Sequence, residues 1–436
     1  MKNTSFFGFD LLVFIATIAL VSIGIIFIYS SGITSTGIVF SNEYIKQTIW
    51  AIIGIGLLIF FASIDYAHLR RLSMRIYLVF LGLLVYTLLF GQVINGSKRW
   101  IGIWELGIQP SEFCKLALIL FLAHVLDKRN PQIKDLRYFI LFFMIAILPL
   151  GLILIQPDLG TAAVFFPIAL AMFFVAGARV RHILFIVFLG LILVFFTVLP
   201  LYEIHLAKRT IPVMNLLTDK TLALYLCTAV FIIAGLSFVG YRGSKKKYFY
   251  WMTYSSSILF LALVGSFVFR RVLKEYQMMR FIVFIDPSVD PRGAGWNIIQ
   301  SVMAVGSGGF WGKGFLKGTQ SHYRYIPQQS TDFIFSIVSE EWGFAGVILV
   351  FALFLVIIVR GLYIMRSTKD RFAAIASSGI VMMIFFHFVT NVGMVISLMP
   401  VTGIPLLFLS YGGSALLSAL ISIGLLMSFY LRRFKV

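Results

Sequence analysis

Apolar runs of bilayer-crossing length recur along almost the whole chain, and lipid leaves few folds open to such a sequence. A scan gives twelve candidate spans, near residues 9–30, 48–65, 75–92, 110–127, 138–156, 160–178, 182–201, 221–241, 248–268, 333–361, 373–397 and 405–431. About 20 apolar residues cross the hydrocarbon core as a helix. Lipid cannot satisfy free backbone amides and carbonyls, so only helices or a closed barrel can span it, and these runs lack barrel alternation. The chain is expected to be an all-α polytopic membrane protein. Composition agrees: 60% of residues are hydrophobic and 12% charged, about half of the ~25% charged residues of ordinary soluble domains.

Loop charge then predicts orientation. One alternating set of connections carries Lys2; Arg70, Arg71 and Arg75; Lys128, Arg129, Lys134 and Arg137; Arg179 and Arg181; Arg242 and Lys245–Lys247; Arg360, Arg366, Lys369 and Arg371; and Arg432, Arg433 and Lys435. The opposite short loops hold only Lys46, Lys98, Arg99, Lys208, Arg209 and Lys220. The positive-inside rule places both termini in the cytoplasm and turns the long polar stretch 269–332 outward. The same excess supplies most of the +19 net charge. It suits anionic membrane lipid and calls for no nucleic acid. Cys114 and Cys227 fall inside predicted spans, so no disulfide framework is implied. The first apolar run lacks a small-residue cleavage site and reads as an uncleaved span. No P-loop, zinc-type Cys/His spacing or GxSxG elbow occurs.

Polar residues near membrane depth are costly and mark candidate sites. Glu112 and Lys115 are three apart on the helix opened by Gln109-Pro-Ser-Glu112, so they share a face. They form either a structural ion pair or the wall of a cavity in which Lys115 or Arg99 meets an anion. Asp158, in Gln156-Pro-Asp-Leu-Gly160, reads as a turn or N-cap residue. His387 reads as a hydrogen-bonded packing residue beside Thr390-Asn391. Pro400-Val-Thr-Gly-Ile-Pro405 and Ser410-Tyr-Gly-Gly-Ser414 interrupt an apolar run, as chain lining a cavity does.

The stretch 269–332 holds Asp286, Asp290 and Asp332 among Arg280, Arg292, Lys313, Lys317 and Arg324. Two Asp-Pro steps keep Asp286 and Asp290 off helical geometry. They are turn formers, or one of them, beside Arg292, is a general base. The run Gly306-Ser-Gly-Gly-Phe-Trp-Gly-Lys-Gly314 is either an anion-cradling nest or a flexible turn.

Taken in order, several motifs resemble the SEDS family (shape, elongation, division and sporulation) of bacterial peptidoglycan polymerases. They are Gly96-Ser-Lys-Arg-Trp100, Gln109-Pro-Ser-Glu112 with Lys115, Gln156-Pro-Asp-Leu-Gly-Thr161, Asp290-Pro-Arg-Gly-Ala-Gly295, Gly306-Ser-Gly-Gly309, Gly318-Thr-Gln-Ser321, Thr331-Asp-Phe-Ile-Phe335 with Glu340-Glu341, Met399-Pro-Val-Thr-Gly-Ile-Pro405 and Leu409-Ser-Tyr-Gly-Gly413. The likeness is to the elongation member more than to the division member. Pro327-Gln-Gln-Ser-Thr-Asp-Phe333 departs from the family, which usually carries Glu and His before the Thr.

The resemblance implies one transmembrane domain over 1–436, with the family's ten helices plus an extra pair at 221–268. Residues 269–332 would form the large extracytoplasmic catalytic loop. The implied activity is glycan polymerisation from lipid II in the bacterial cytoplasmic membrane. Asp290 would be the base that activates the acceptor 4-hydroxyl, and undecaprenyl pyrophosphate the leaving group. Arg99, Gln109, Glu112, Lys115, Asp158, Arg280, Lys313 and Gln320 are the implied substrate contacts. No cofactor is certain; a divalent cation such as Mg or Mn is a candidate. Crosslinking is expected from a class B penicillin-binding protein, because no transpeptidase module is recognised. The alternatives are a flippase or transporter of lipid-linked precursors, and a non-catalytic scaffold.

Overall fold

The computed structural model describes residues 10–94, 97–102, 107–207, 217, 219–291 and 293–434. Each predicted span overlaps a helix. In chain order these are α1 (Leu11–Ser31), α2 (Glu43–Ser63), α3 (Tyr66–Phe90), α4 (Pro110–Lys128), α5 (Leu136–Ile155), α6 (Leu159–Val175), α7 (Val180–Tyr202), α8 (Lys220–Ser244), α9 (Lys247–Val272), α13 (Ile334–Ser367), α14 (Arg371–Val395) and α15 (Gly413–Leu431), with α10 (Glu275–Ile285), α11 (Ala294–Ser307) and α12 (Thr319–His322) between α9 and α13. A short antiparallel hairpin, β1 (Gln92–Ile94) and β2 (Ser97–Trp100), follows α3. Ten of the described helices are long and apolar enough to cross a membrane. The other two predicted spans are α4, which carries Glu112, Lys115, Asp127 and Lys128, and α6, which has 17 residues.

Helix starts follow from side chains that satisfy orphan amides. Asp10, Asp65, Asp158 and Asp370 cap α1, α3, α6 and α14 by accepting from Val13, Ala67, Thr161 and Phe372 N–H. Pro110 occupies the first turn of α4, where its missing N–H costs nothing.

The contacts group the chain into two compact units, residues 1–177 with 296–436, and residues 178–295. In the first, α14 and α15 are the most enclosed spans. The α15 helix packs on α2; α14 packs on α4, α6 and α13; and α1 packs on α13. In the second, α9 lies against both α7 and α8. A small core of Leu217, Val230 and Leu263, packed by Phe196, Leu199, Leu226 and Leu259, holds them together. The hairpin between α8 and α9 turns on Lys245, which closes α8 in the left-handed conformation (φ 54°).

The stretch 269–332, expected as one large polar loop, is largely helical: it contains the end of α9, then α10, a 3₁₀ turn at Pro287–Val289, α11 and α12.

Two irregularities in the first unit shape the site. Residues 400–405, between α14 and α15, run without regular structure, yet Ile404, Leu406, Phe408 and Leu409 of the adjoining chain are fully buried. Buried backbone must find partners. Here polar side chains supply them. Asn391 donates to the Ile404 carbonyl, Gln47 donates to that of Ser410 and accepts from Gly412 N–H, and Ser410 Oγ accepts from Leu406 N–H.

The second irregularity is a break in α13. A straight 34-residue helix would be about 51 Å long, well beyond a ~30 Å hydrocarbon core. Gly343 interrupts it with φ 62° and ψ −160°, a region essentially reserved for glycine. The chain at 309–314 fills the gap. Lys313 and Gly314 N–H donate to the freed carbonyls of Glu340 and Glu341, while Phe344 and Ala345 N–H donate to Gly309 and Phe310 carbonyls. The Gly-rich run is therefore neither a nest nor a free turn; its backbone completes an interrupted helix. A Cβ on Gly343 would sit 2.2 Å from the Gly312 nitrogen.

Gly343→Ala should accordingly destabilise the protein by at least about 1–3 kcal/mol. The thermal unfolding midpoint in detergent measures this. Gly306→Ala, on an open helical face with nothing within 4 Å, should leave the midpoint unchanged or slightly raised.

Candidate active site

Three polar clusters gather at one set of helix ends in the first unit. The first is built on α4. Lys115 Nζ lies 2.9 Å from Glu112 Oε2 and 3.1 Å from His387 Nε2, and all three side chains are enclosed. His387 Nδ1 is 3.0 Å from the Pro405 carbonyl, which can only accept. The proton therefore sits on Nδ1, leaving Nε2 to accept from the ammonium. His387 is thus a hydrogen-bonded packing residue, as its sequence position suggested, and it ties Lys115 to the irregular 400–405 chain. Lys115 itself is fully buried. The geometry is that of an ion pair, with no exposed ammonium to meet a ligand.

The second cluster centres on Asp158. Besides capping α6, its carboxylate accepts from Thr161 Oγ1 at 2.9 Å and Gln109 Nε2 at 3.0 Å, and pairs with Arg99 at 3.1 Å. The hairpin β1–β2 delivers Arg99, whose side chain remains 28% exposed. Its Nε is buried without a hydrogen-bond partner, so part of the guanidinium fork stays available to an acceptor. Gln109 is fixed from behind by its backbone N–H donating to Ser414 Oγ at 2.9 Å.

The third cluster holds two of the implied substrate contacts, Lys313 and Gln320, on a carboxylate that was not named among them. Glu340, fully enclosed, accepts from Lys313 Nζ (2.8 Å), from Thr319 N–H and Oγ1 (2.8 and 3.0 Å) and from the N–H groups of Gln320 and Ser321 (3.0 and 3.3 Å). One carboxylate thus anchors the whole of α12. Gly318 fits because a Cβ there would lie 2.8 Å from Glu340 Oε2. Lys313 and Gln320 therefore come together, through Glu340. Glu341 beside it accepts from Ser30 Oγ and from Leu316 N–H, and lies 3.3 Å from His322 Nε2. That last contact is ionic, since the nitrogen lacks an aligned hydrogen bond. His322 Nδ1 lies 2.8 Å from the Ile33 carbonyl. Glu341 raises the His322 pKa above the ordinary imidazole value against the opposing effect of burial, and the Ile33 carbonyl and Glu340 add to the rise. The sequence signal for this cluster was the acidic pair Glu340-Glu341 inside an apolar span.

Asp290 and Arg280 belong to the second unit. Both Asp-Pro aspartates are off helical geometry, as expected: Asp286 is extended, with φ/ψ of −142°/102°, and Asp290 lies at −130°/72°, neither helical nor extended. Their side chains differ. Asp286 caps the 3₁₀ turn, accepting from Ser288 N–H at 2.9 Å and Oγ at 2.6 Å, and these bonds hold its pKa below the ordinary carboxylate range. Asp290 is half-buried, and the chain bends around it: Gly295 N–H donates to its carbonyl at 3.1 Å. A Cβ on Gly293 would fall 2.2 Å from Asp290 Oδ2. Arg280 stacks over Tyr276 at 5.8 Å. Arg292 lies outside the described residues. Asn391 spans from the Ile404 carbonyl to that of Asp332.

Comparison with known proteins bears on this arrangement. The family described as cell cycle protein FTSW_RODA_SPOVE matches residues 10–221 and 211–433. The chain is 47% identical over 427 residues to peptidoglycan glycosyltransferase RodA of Treponema pallidum, covering 98% of each. It is 35% identical to stage V sporulation protein E of Bacillus subtilis over 96% of each chain. Against peptidoglycan glycosyltransferase MrdB of Escherichia coli K12 it is 30% identical over 82% of this chain and 77% of that one. Among solved structures it resembles a chain of a peptidoglycan synthase complex in which polymerization and crosslinking are coordinated (TM-score 0.68, 27% identity, 99% of this chain and 100% of that one). It shares its fold with the rod shape determining protein RodA of Thermus thermophilus (TM-score 0.61, 23% identity, 99% of both).

Two outcomes are expected from the buried charges. Lys115→Met strands the Glu112 carboxylate and should cost about 3–5 kcal/mol, whereas the double variant Glu112→Gln/Lys115→Met should recover much of that loss; a double-mutant cycle of unfolding free energies measures the difference. For His322 the folded pKa is raised, so the stabilisation is complete below its ordinary pKa of about 6.5 and is lost as pH rises through the raised value. His322→Gln should therefore flatten the decline in unfolding midpoint above about pH 6.5, with little change at alkaline pH.

Proposed function

The chain belongs to the FtsW/RodA/SpoVE family of cell cycle proteins, and from that membership we propose that it polymerises peptidoglycan glycan strands during cell elongation. The near full-length match to a RodA glycosyltransferase carries this reading. The protein is a multi-pass membrane glycosyltransferase. The loop-charge asymmetry supports an orientation with both termini in the cytoplasm and Asp290 outside.

In the reading we favour, the donor is a growing glycan on undecaprenyl pyrophosphate and the acceptor is lipid II. Asp290 takes the proton from the acceptor 4-hydroxyl as that oxygen attacks the donor's anomeric carbon. The bond from that carbon to the pyrophosphate oxygen breaks, and undecaprenyl pyrophosphate departs. What favours Asp290 over Asp286 is the family motif Asp290-Pro-Arg-Gly-Ala-Gly295, together with the commitment of Asp286 to its own turn by Ser288. A cation near the leaving group lowers the barrier by offsetting developing charge. Arg99 suits that task best, being partly exposed with an uncommitted Nε–H. Lys313, held by Glu340, is the next candidate, followed by Arg280. Lys115 is enclosed in its ion pair with Glu112 and offers no open ammonium. Gln109, Glu112, Asp158 and Gln320 would then act by fixing these cations and the chain around them.

Among the described residues no three His, Cys, Asp or Glu side chains converge to hold a metal ion, so no step is routed through one. A class B penicillin-binding protein is the partner we propose for crosslinking; the likeness to a chain of a synthase complex supports it. The 221–268 pair, a two-helix hairpin whose removal would preserve the sidedness of every downstream helix, is proposed as an addition to the family's core.

The protein with its transpeptidase partner and lipid II in detergent should yield glycan polymer. Asp290→Ala should lower the rate by about 10²–10⁴ at equal folded protein, while Asp286→Ala should retain synthesis. Undiminished polymer from Asp290→Ala would remove the base assignment.

A further inference from the structure

The helix ends remote from the three polar clusters line a cavity of about 440 Å³, which the polymerisation chemistry does not use. It is lined by Asp65, Tyr66 and Arg70 of the α3 start, Asp127 of the last turn of α4, Lys369, Asp370 and Arg371 at the α14 start, and Arg432 just beyond α15. Asp127 comes twelve residues after Lys115 on the same helix, so the two regions are about 18 Å apart along its axis. All these residues lie at the ends of bilayer-length helices, the depth at which lipid head groups sit.

The charges here are unevenly committed. Arg70 bridges two helix ends, pairing with Asp127 and lying 3.6 Å from Asp370, with its guanidinium over the Phe372 ring. Arg432 pairs with Asp65 at 3.7 Å and donates to the terminal carbonyls of Ala62 and Ser63 in α2. The three carboxylates are thereby taken by two arginines. The two remaining cations have no carboxylate in this network. Arg371 gives one terminal nitrogen to the Ala176 carbonyl that closes α6, and its Nε–H is buried without an acceptor. The Lys369 side chain stands exposed at the rim. A buried donor without an acceptor is costly, and such a group calls for a water or an ion.

We propose that this cavity binds a phosphate-type oxyanion, with Lys369 and the Arg371 Nε–H as the ligand-binding donors and Arg70 as the wall that shapes the site. An oxyanion supplies what the site lacks, a negative acceptor for a fixed guanidinium donor beside a second positive charge. The neighbouring Arg71, Lys128 and Arg433 raise the local anion concentration further. The same chemistry is offered by the phosphodiester of an anionic membrane lipid and by a soluble phosphate.

The test is the unfolding midpoint of the full chain in neutral detergent, at ionic strength matched with chloride, because exposed charges are screened by any salt. One arm adds inorganic phosphate; the other adds phosphatidylglycerol, with phosphatidylcholine as its neutral control. Ligand that binds only the folded state raises the midpoint. A rise of a few degrees is expected in at least one arm. Lys369→Gln removes a charge from an exposed position, and Arg371→Lys keeps the charge while deleting the Nε–H. At least one of them should weaken the apparent affinity about tenfold. A rise with phosphatidylglycerol alone assigns the site to lipid; a rise with phosphate assigns it to a soluble anion. No rise in either arm, or a rise both variants keep in full, overturns the proposal.

Discussion

The first unit depends on satisfying backbone where the chain is buried but not helical. Within a bilayer-spanning bundle, water is not at hand to hydrogen-bond an exposed amide or carbonyl. The chain at 400–405, with the buried residues just after it, can sit among α2, α13, α14 and α15 only because Gln47, Asn391, His387 and Ser410 turn their polar atoms onto its backbone. His387 then fixes Lys115, and Lys115 fixes Glu112. A backbone requirement and a buried charge pair are thus parts of one network. Removing a single member leaves a neighbour unsatisfied.

The break in α13 obeys the same rule by another route. Gly343 frees two carbonyls and two amides, and backbone from 309–314 returns partners to all four. This brings the chain around Lys313 to the first turns of α13, where Glu340 collects the amides of α12. An acidic side chain within an apolar helix is costly unless densely hydrogen-bonded. Glu340 meets that condition. Its cost is set against ordering the segment that carries Lys313 and Gln320.

Much of this was legible in the sequence, and the features that were missed have physical reasons. Span positions came from hydropathy alone because helices must bury apolar length in lipid; Asp158 read as a cap, His387 as a packing residue, and both Asp-Pro steps as non-helical backbone. The helical content of 269–332 was hidden because α10, α11 and α12 are short and separated by Gly and Pro, which mask their periodicity. The role of the Gly-rich run was invisible because its partners, the Glu340 and Glu341 carbonyls, lie some thirty residues away in sequence. Local spacing proposed the Glu112–Lys115 pair but could not supply His387, which arrives from α14. The division at residues 177–178 and 295–296 is a property of tertiary contacts and left no mark in composition.

Helix ends explain why polar chemistry is segregated in the first unit. Each helix end leaves unpaired amides or carbonyls that polar side chains must meet, so a bundle of parallel and antiparallel spans concentrates polar residues into two layers. In one layer the orphans are met by Asp158, Ser414 and Glu340, and the side chains left partly open are Arg99 and Lys313. In the other they are met by Asp65, Asp370, Arg371 and Arg432, and Lys369 is left open. Both layers therefore do structural work first, and each has cationic groups left over. An anionic ligand at either layer meets positions that helix termination has already made rigid, which reduces the ordering entropy that binding must overcome.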